Sequence, residues 1–504
     1  MSEFLDLIDL AVDRLGGAAL WASDDFFAPK EALLKKEAPV FLEHEYTDRG
    51  KWMDGWESRR KRTPGYDTCL IRLGLPGVIR GLLIDTAFFR GNYPESCSVE
   101  ACSARADATV EELLGPETRW VEILPRAALR GNDKHLFPVD SPHRFTHLRF
   151  HIHPDGGVAR LRAHGEVVPD WRRLGRGGAE IDLAASENGG RVPACSDMFF
   201  GVRHNLIAPG RAPNMGDGWE TKRRRGPGFD WALVELAAEG TLSRIEIDTN
   251  HFKGNYPDTA MLEGVHAPGA TVEELQSHPG WREILPRRKL QASTRHLYDE
   301  ELKDRGPFTH VRLNIYPDGG VSRLRIHGSL TREGGIGLRL GRLGALLREE
   351  AEAELLSCCG SRAWAAKMAD KRPFRTLDEV LTTADEVWRG LSPDDWREAF
   401  LAHPRIGEKE APGGQDARAR AYSEKEQGSL STASADTLAA LAEGNRAYDA
   451  KFGRIFIVCA TGKSAEEMLA DLRARLGHDE ATEMVAAAEE QRKITRIRLE
   501  KMFV

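Results

Sequence analysis

DTAFFRGNYP at residues 85–94 and DTNHFKGNYP at residues 248–257 are two versions of one stretch, 163 residues apart. The blocks around them repeat in the same order. ALWASDDFFAPKEALL (19–34) answers VPACSDMFFGVRHNLI (192–207), and MDGWESRRKRTPGYD (53–67) answers GDGWETKRRRGPGFD (216–230). WVEILPRAAL (120–129) answers WREILPRRKL (281–290), and FTHLRFHIHPDGGVARLRAHG (145–165) answers FTHVRLNIYPDGGVSRLRIHG (308–328). Five blocks in one order mark an internal duplication. The copies are read as starting near Ala18 and Gly189, after an opening LDLIDLAVDRLGG that reads as a short helix ending at Gly16-Gly17.

Each copy is mostly strand. In residues 145–165, alternation sets His147, Arg149, His151 and His153 on one face and Leu148, Phe150 and Ile152 on the other. Asp-Gly-Gly then supplies the positive-φ positions of a tight turn. Short strands joined by Gly/Pro-rich loops predict a jelly-roll-like β-sandwich per copy. After SLTREGGIGLRLG, read as a Gly-rich joint, Ala, Glu, Leu and Arg dominate with helical periodicity. The expected architecture is multidomain: two duplicated jelly-roll-like β-sandwich modules (1–170 and 171–335) followed by an all-α domain (345–504).

The chain has 504 residues, 41% hydrophobic and 30% charged, with a formal net charge of -7. That balance speaks against a general nucleic-acid partner. Seven cysteines without a CxxC pair suit a reducing compartment. No start resembling a signal peptide and no run of 18 apolar residues is present, so no membrane partner and a cytoplasmic location are expected.

Several groups could carry chemistry. His147, His151 and His153 suit either a metal or a hydrogen-bonded polar strand face. In DGWE(S/T)(R/K)R, Glu57 or Glu220 could hold or deprotonate a urea-like N–H, and Arg59, Arg60, Arg223 and Arg224 could clamp a carboxylate. A solvated charge run beside a structural Trp is the other reading. Phe88 of the first GNYP block becomes His251 in the second, which favours the second copy: His251 with Asp248, Asn255 and His310.

These blocks, over residues 15–330, resemble allantoicase. The resemblance implies two jelly-roll repeats that hydrolyse allantoate to ureidoglycolate and urea. It allows a divalent metal that the sequence does not assign. The residues carried over as candidates are Glu220 and His251 for catalysis, with Arg223, Asn255, His310 and Arg312 for binding.

In the last 165 residues three blocks stand out: HPRIGEK (403–409), SEKEQGS (423–429) and FGRIFIVCATGKS (452–464). The GKS tail is no phosphate loop, because Ile457 stands where a Walker A motif needs Gly. Gly462 instead predicts a tight turn before a helix whose N–H groups could take an anion. With W364-A-x-K-M and the closing K493-I-x-x-I-R-L, these blocks resemble 2-oxo-4-hydroxy-4-carboxy-5-ureidoimidazoline (OHCU) decarboxylase. The resemblance implies a cofactor-free all-α enzyme, usually dimeric, that makes S-allantoin. It places catalysis on His403 and Glu426 and carboxylate binding on Arg498, with Arg496 as the alternative. Ser423, Gln427, Ile457 and Gly462 would line the pocket. The family's usual Asn is His478 here.

The two resemblances meet in urate breakdown, with small anionic ureido compounds as substrates. The ring-opening step between the two reactions is not in this chain, so direct hand-over is not expected. The alternative is an active decarboxylase carrying a non-catalytic ligand-binding or structural β-sandwich pair.

Overall fold

The structure is a computed structural model that describes residues 3–169, 179–403 and 434–504. It divides into two compact units, Met1–Leu338 and Arg339–Val504.

The first unit holds the two β modules. Each is built on one 19-residue strand, Asp67–Asp85 in the first copy and Asp230–Asp248 in the second. The first half of Asp67–Asp85 pairs antiparallel with Arg144–His153 and Ala18–Ala22. Its second half pairs with Arg160–Val167 and Lys134–Pro138. The two faces of the sandwich are thus joined by one long strand that bends at its middle. Apolar residues point between them: Leu148, Phe150 and Ile152 are fully buried, as the alternation predicts. The second copy buries Val311, Leu313 and Ile315 in the same places.

Asp-Gly-Gly turns the chain as expected but closes no hairpin. Arg144–His153 pairs with Ser96–Cys102, whereas Arg160–Val167 pairs with the long strand. Only the first glycine is left-handed (Gly156, φ 134°). The second is needed for space: a Cβ on Gly157 would stand 2.0 Å from the Phe89 ring, and one on Gly320 1.9 Å from Phe252.

The expected opening helix is two 3-10 turns, Glu3–Asp6 and Asp13–Leu15, around the strand Ile8–Asp9. Asp9 decides this. Its carboxylate accepts from Ala11 N and Ala163 N, both at 3.0 Å, and so pins the segment to the sheet as an edge strand. The second copy repeats the device with Asp182 on Ala184 N and Ile326 N. Each repeat therefore begins at these strands, ahead of Ala18 and Gly189.

The stretch read as a Gly-rich joint is a helix, Arg332–Ala345. Ile336, Leu340 and Leu343 are buried along one side of it, which offsets the weak helix preference of its glycines.

The second unit is helical. Residues 348–370 form the pair Arg348–Leu356 and Arg362–Asp370. Thr376, Ser392, Ser434 and Ser464 each cap a helix with the side chain. The last helix is Glu480–Phe503. Among the described residues no helix is long and apolar enough to cross a membrane.

Candidate active sites

Four repeated blocks meet at one end of each sandwich. In the first copy Trp56 Nε1 donates to Asp24 O (2.8 Å) and Arg59 N to Asp24 Oδ1 (3.0 Å). Lys61 N donates to Asp155 Oδ2 (2.8 Å) and Gly157 N to Asn92 O (2.7 Å). Asn92 Nδ2 closes the set on Glu57 Oε1 at 2.7 Å. In the second copy Trp219 and Lys222 N donate to Asp197, and Arg224 N to Asp318, all at 2.8 Å. Gly320 N donates to Asn255 O (2.7 Å), and Asn255 Nδ2 to Glu220 Oε1 (2.5 Å). The repeated blocks are therefore the loops of one site, built twice. Burial pushes the Glu57 carboxyl above its usual range, against the pull of Asn92.

The GNYP turn carries strain in both copies. Phe88 and His251 are left-handed (φ 70° and 71°), and so are Asn132 and Ser293 facing them (φ 53° and 48°). Phe88 N donates to Asn132 Oδ1, and His251 N to Ser293 Oγ. A non-glycine residue adopts this region at a cost, and such residues cluster at functional sites. The His251 ring turns to the loop before Trp219, with Nε2 on Ala212 O at 2.9 Å. In the first copy a ten-residue-longer loop covers the same spot, and Phe41 stacks on Phe88 with centroids 5.6 Å apart.

Glu220 and Asn255 are thus brought together, and His251 lies on the same turn as Asn255. Arg223 is exposed beside them, as is Arg60 in the first copy. Arg59 and Arg224 are committed to the carboxylates of Asp24 and Asp230. His310 and Arg312 sit on the outer face of the strand Phe308–Tyr316 and share no hydrogen bond with the Glu220–Asn255 pair. The histidine face of the first copy is hydrogen-bonded. His151 contacts Thr68 Oγ1 and Glu100 Oε2, both at 2.8 Å, and His153 contacts Ser98 Oγ at 3.0 Å. Among the described residues no three His, Cys, Asp or Glu side chains come together as metal ligands.

In the helical unit the last helix presents Gln491, Thr495 and Arg498 on one face, all at most 4% exposed. His403 is buried against them. Among the described residues its Nε2 and Gln491 Oε1 have no hydrogen-bond partner, while Gln491 Nε2 donates to Thr495 Oγ1 at 3.2 Å. Burial first, and then the charge of Arg498, lower the imidazole to about 3, while Gln491 partly opposes them. Arg496 is half exposed and pairs with Asp385 and Glu500, so Arg498 is the arginine of this cluster. Cys359 adjoins it, with burial raising its thiol to about 11.

Ile457 is buried, and its carbonyl accepts from Arg475 Nη1 at 2.7 Å. Gly462 makes the expected turn (φ 81°). The helix after it is closed by a Ser464–Glu467 capping box, which takes the N–H of residue 467 that an anion would otherwise use. Glu426, Ser423 and Gln427 lie outside the described residues.

Comparison with known proteins fits this picture. The family model "Allantoicase repeat" matches residues 8–168 and 181–331. The chain belongs to the allantoicase family. A probable allantoicase 1 from Burkholderia mallei is 50% identical over 326 residues, covering 64% of this chain and 95% of that protein. A probable allantoicase from Pseudomonas fluorescens is 48% identical over 335 residues, covering 66% and 98%. The crystal structure of allantoicase from Saccharomyces cerevisiae is 35% identical with a TM-score of 0.54, covering 65% of this chain and 96% of that one. Unlike these relatives, this allantoicase continues: the OHCU decarboxylase family model matches residues 344–500. The chain is a bifunctional enzyme of urate catabolism, an allantoicase joined to an OHCU decarboxylase.

Proposed function

We propose that urea is released from allantoate at the Glu220–Asn255 cluster and that decarboxylation occurs at His403 and Arg498. The observation that carries the first assignment is the Glu–Asn hydrogen bond at the meeting point of all four loops. Glu220 would take a proton from water as the oxygen adds to the central carbon. The departing ureido nitrogen takes up a proton and leaves as urea. Asn255 holds the carboxylate in place, Arg223 offers its guanidinium to the substrate carboxylate, and His251 shapes the turn beside them.

In the helical unit Arg498 binds the carboxylate that leaves as CO₂. The electron pair of the broken C–C bond passes into the adjacent C=N unit, whose nitrogen takes up a proton; the 4-hydroxyl gives up its proton as it becomes the ring carbonyl, and the ring carbon bearing the ureido group takes one proton. His403, held neutral near pH 7, can accept the substrate proton and return it to that carbon. Glu426 shares this proton work, with Ser423, Gln427, Ile457 and Gly462 around the ring. The decarboxylase reading uses no cofactor. Among the described residues no three metal-ligating side chains come together, and chelation tests a divalent metal for the hydrolase. We also place the protein in the cytoplasm, as an oligomer of at least two chains.

The test is urea release from allantoate by the full chain, with E220Q and E57Q compared before and after chelation. E220Q is expected to lose about 10²–10⁴-fold in kcat, while E57Q keeps most activity. Loss in E57Q alone moves the site to the first copy. Full activity in both overturns the assignment. Activity lost on chelation and restored by a divalent ion would show a metal requirement.

A further inference from the structure

The two copies treat one pair of rings differently. Phe26 and Phe27 in the first copy, and Phe199 and Phe200 in the second, stand edge to face with centroids 5.2 and 4.8 Å apart. Phe27 N and Phe200 N donate to the carbonyls of Glu57 and Glu220, both at 3.2 Å. In the first copy the rings are partly covered. The Arg49 guanidinium lies 5.0 Å from the Phe26 centroid and that of Arg59 5.1 Å from it, while Arg49 Nη1 donates to Phe26 O at 3.0 Å. Arg49 belongs to the loop 35–52, for which the second copy has only 208–215. Phe199 and Phe200 are accordingly 71% and 62% exposed, against 38% and 36% for Phe26 and Phe27. Met198, Val202 and Met215, on the same loops, are exposed as well. A clustered apolar patch of this kind marks a contact surface.

The loop that the second copy lacks is a shaped element with an apolar tip. Tyr46–Thr47 pairs antiparallel with Gly50–Lys51. Lys51 Nζ donates to Leu42 O at 2.8 Å and to Glu43 O, and it lies 4.6 Å from the Tyr46 centroid and 5.1 Å from that of Phe41. Trp52 N donates to Glu45 O at 3.2 Å. The loop is thus held in one shape before it meets a partner, which lowers the ordering cost of association. Val40, Phe41, Leu42 and Tyr46 are nevertheless exposed on it.

Charge selects the partner. Lys51 is spent inside the loop and Arg49 on Phe26, so the loop presents Glu43, Glu45 and Asp48, all exposed and, among the described residues, without an ion-pair partner. The ring face of the second copy has the opposite sign. Asp197 Oδ1 accepts from Phe199 N at 3.1 Å and from Lys222 N at 2.8 Å, which sets Lys222 beside the rings. Lys222 Nζ reaches Asp197 Oδ2 at 3.4 Å, an exposed pair that holds it weakly. Arg225 follows it and is exposed too. An acidic apolar loop on one copy and a basic apolar face on the other are complementary. Within one chain both stay exposed, so they do not cover each other there.

We propose that the Phe199–Phe200 face takes the 40–48 loop of a second copy of this chain, with Leu42 and Tyr46 packed on the rings and Glu45 and Asp48 against Lys222 and Arg225. The partner's loop then does for the second β module what residues 35–52 do for the first, covering the rings that border Glu220. Each chain carries one loop and one face, so a twofold pair buries both sets. The proposal rests on the oligomer reading above and not on the Glu220 assignment.

The test is sedimentation equilibrium of the full chain at micromolar concentration. Three variants are compared: E45K with D48K on the loop, K222E with R225E on the face, and F199S with F200S on the rings. Each should lower the mass at least about twofold, whether or not the helical units also pair. Added salt should weaken association of the unmodified chain. Combining the two charge reversals in one chain should restore the mass, which a misfolded loop or face could not do. Unchanged mass in all three variants overturns this surface and leaves the oligomer reading standing. Loss of mass with no recovery in the combined variant overturns the pairing of loop with face. A monomeric unmodified chain overturns the proposal and the oligomer reading together.

Discussion

Asp217 carries the buried guanidinium of Arg323 on Oδ2 at 2.6 Å, and both side chains are 2% exposed. The first copy has the same pair, Arg160 on Asp54 at 2.7 Å. Asp217 differs in also accepting from Arg14 and Lys36, which come from the first copy. It thus ties the two β modules together. Among the described residues Asp54 has only Lys35 and the backbone N–H of Val40 besides Arg160.

Removing the Asp217 charge strands a buried guanidinium and loosens the contact between the copies. D217N is expected to destabilise the first unit by about 3–5 kcal/mol, and D54N by less. Urea unfolding of the full chain, followed by tryptophan fluorescence, reads both. Equal losses would show that Arg14 and Lys36 add nothing. The pH dependence has a definite sign. Burial raises the Asp217 carboxyl, but Lys36 and Arg323 outweigh it and the net shift is downward. Its contribution is therefore present above the unfolded value near 3.8 and is lost as pH falls through the lower folded value. D217N should flatten that acid limb.

Asn92 and Asn255 hold their glutamates in the same way, so the two copies can be compared directly. N255A is expected to lower kcat for urea release by about 10–100-fold, since a mispositioned base works poorly. N92A should leave kcat nearly unchanged. In the first copy its effect should appear as stability. The Glu57 carboxyl is raised by burial, and Asn92 pulls it down. Glu57 thus contributes stability below the unfolded value near 4.5 that is lost as pH rises through the higher folded value. N92A should extend that loss to higher pH, visible as a lower melting temperature above pH 5 only.

Much of this was legible because a duplication prints each functional loop twice. Trp56-Glu57 and Trp219-Glu220, or the two GNYP turns, stood out where one copy alone would read as loop. Alternation placed Leu148, Phe150 and Ile152 in the core. The Ile8–Asp9 strand was hidden because Asp9 acts through its side chain on Ala163, 154 residues away. The Arg312–Glu263 pair was hidden likewise, since strand register is not local. In the last helix Arg498 was named, but the signal at Gln491 and Thr495 went unread. Gln491, Thr495 and Arg498 fall in the stripe of Met484, Ala487, Ala488, Ile494, Leu499 and Met502, all buried. Polar residues in an apolar stripe are the mark of a site or a network.

Such a network lies nearby and supports the pocket wall. Glu483, fully buried, accepts from Tyr448, from Arg475 Nε at 2.9 Å and from His478 Nδ1 at 2.8 Å. Arg475 in turn holds the carbonyl of Ile457. The His478 that departs from the family's Asn is thus a working member of this network. E483Q is expected to destabilise the helical unit by about 3–5 kcal/mol and to lower decarboxylase kcat. Urea release, which depends on the other unit, serves as the internal control and should not change.

The cluster at His403 gives the last prediction. Its imidazole is lowered to about 3 by burial and by Arg498. A histidine whose folded pKa lies below its unfolded value of 6.5 contributes stability above 6.5, and this is lost as pH falls from there toward 3. R498M removes the opposing charge and should raise the imidazole, so the acid limb of stability becomes shallower. Substrate binding should suffer at the same time. Losing the carboxylate's partner should raise KM and cut kcat/KM for decarboxylation by about 10²–10³-fold, the range for a charge-assisted hydrogen bond with its electrostatic role. R496M, at the half-exposed neighbour, should change neither quantity by more than about twofold, as surface ion pairs contribute little. If R496M were the damaging variant instead, the carboxylate would have to be held on the outer side of the helix, and the buried His403–Arg498 cluster would not be the decarboxylating site.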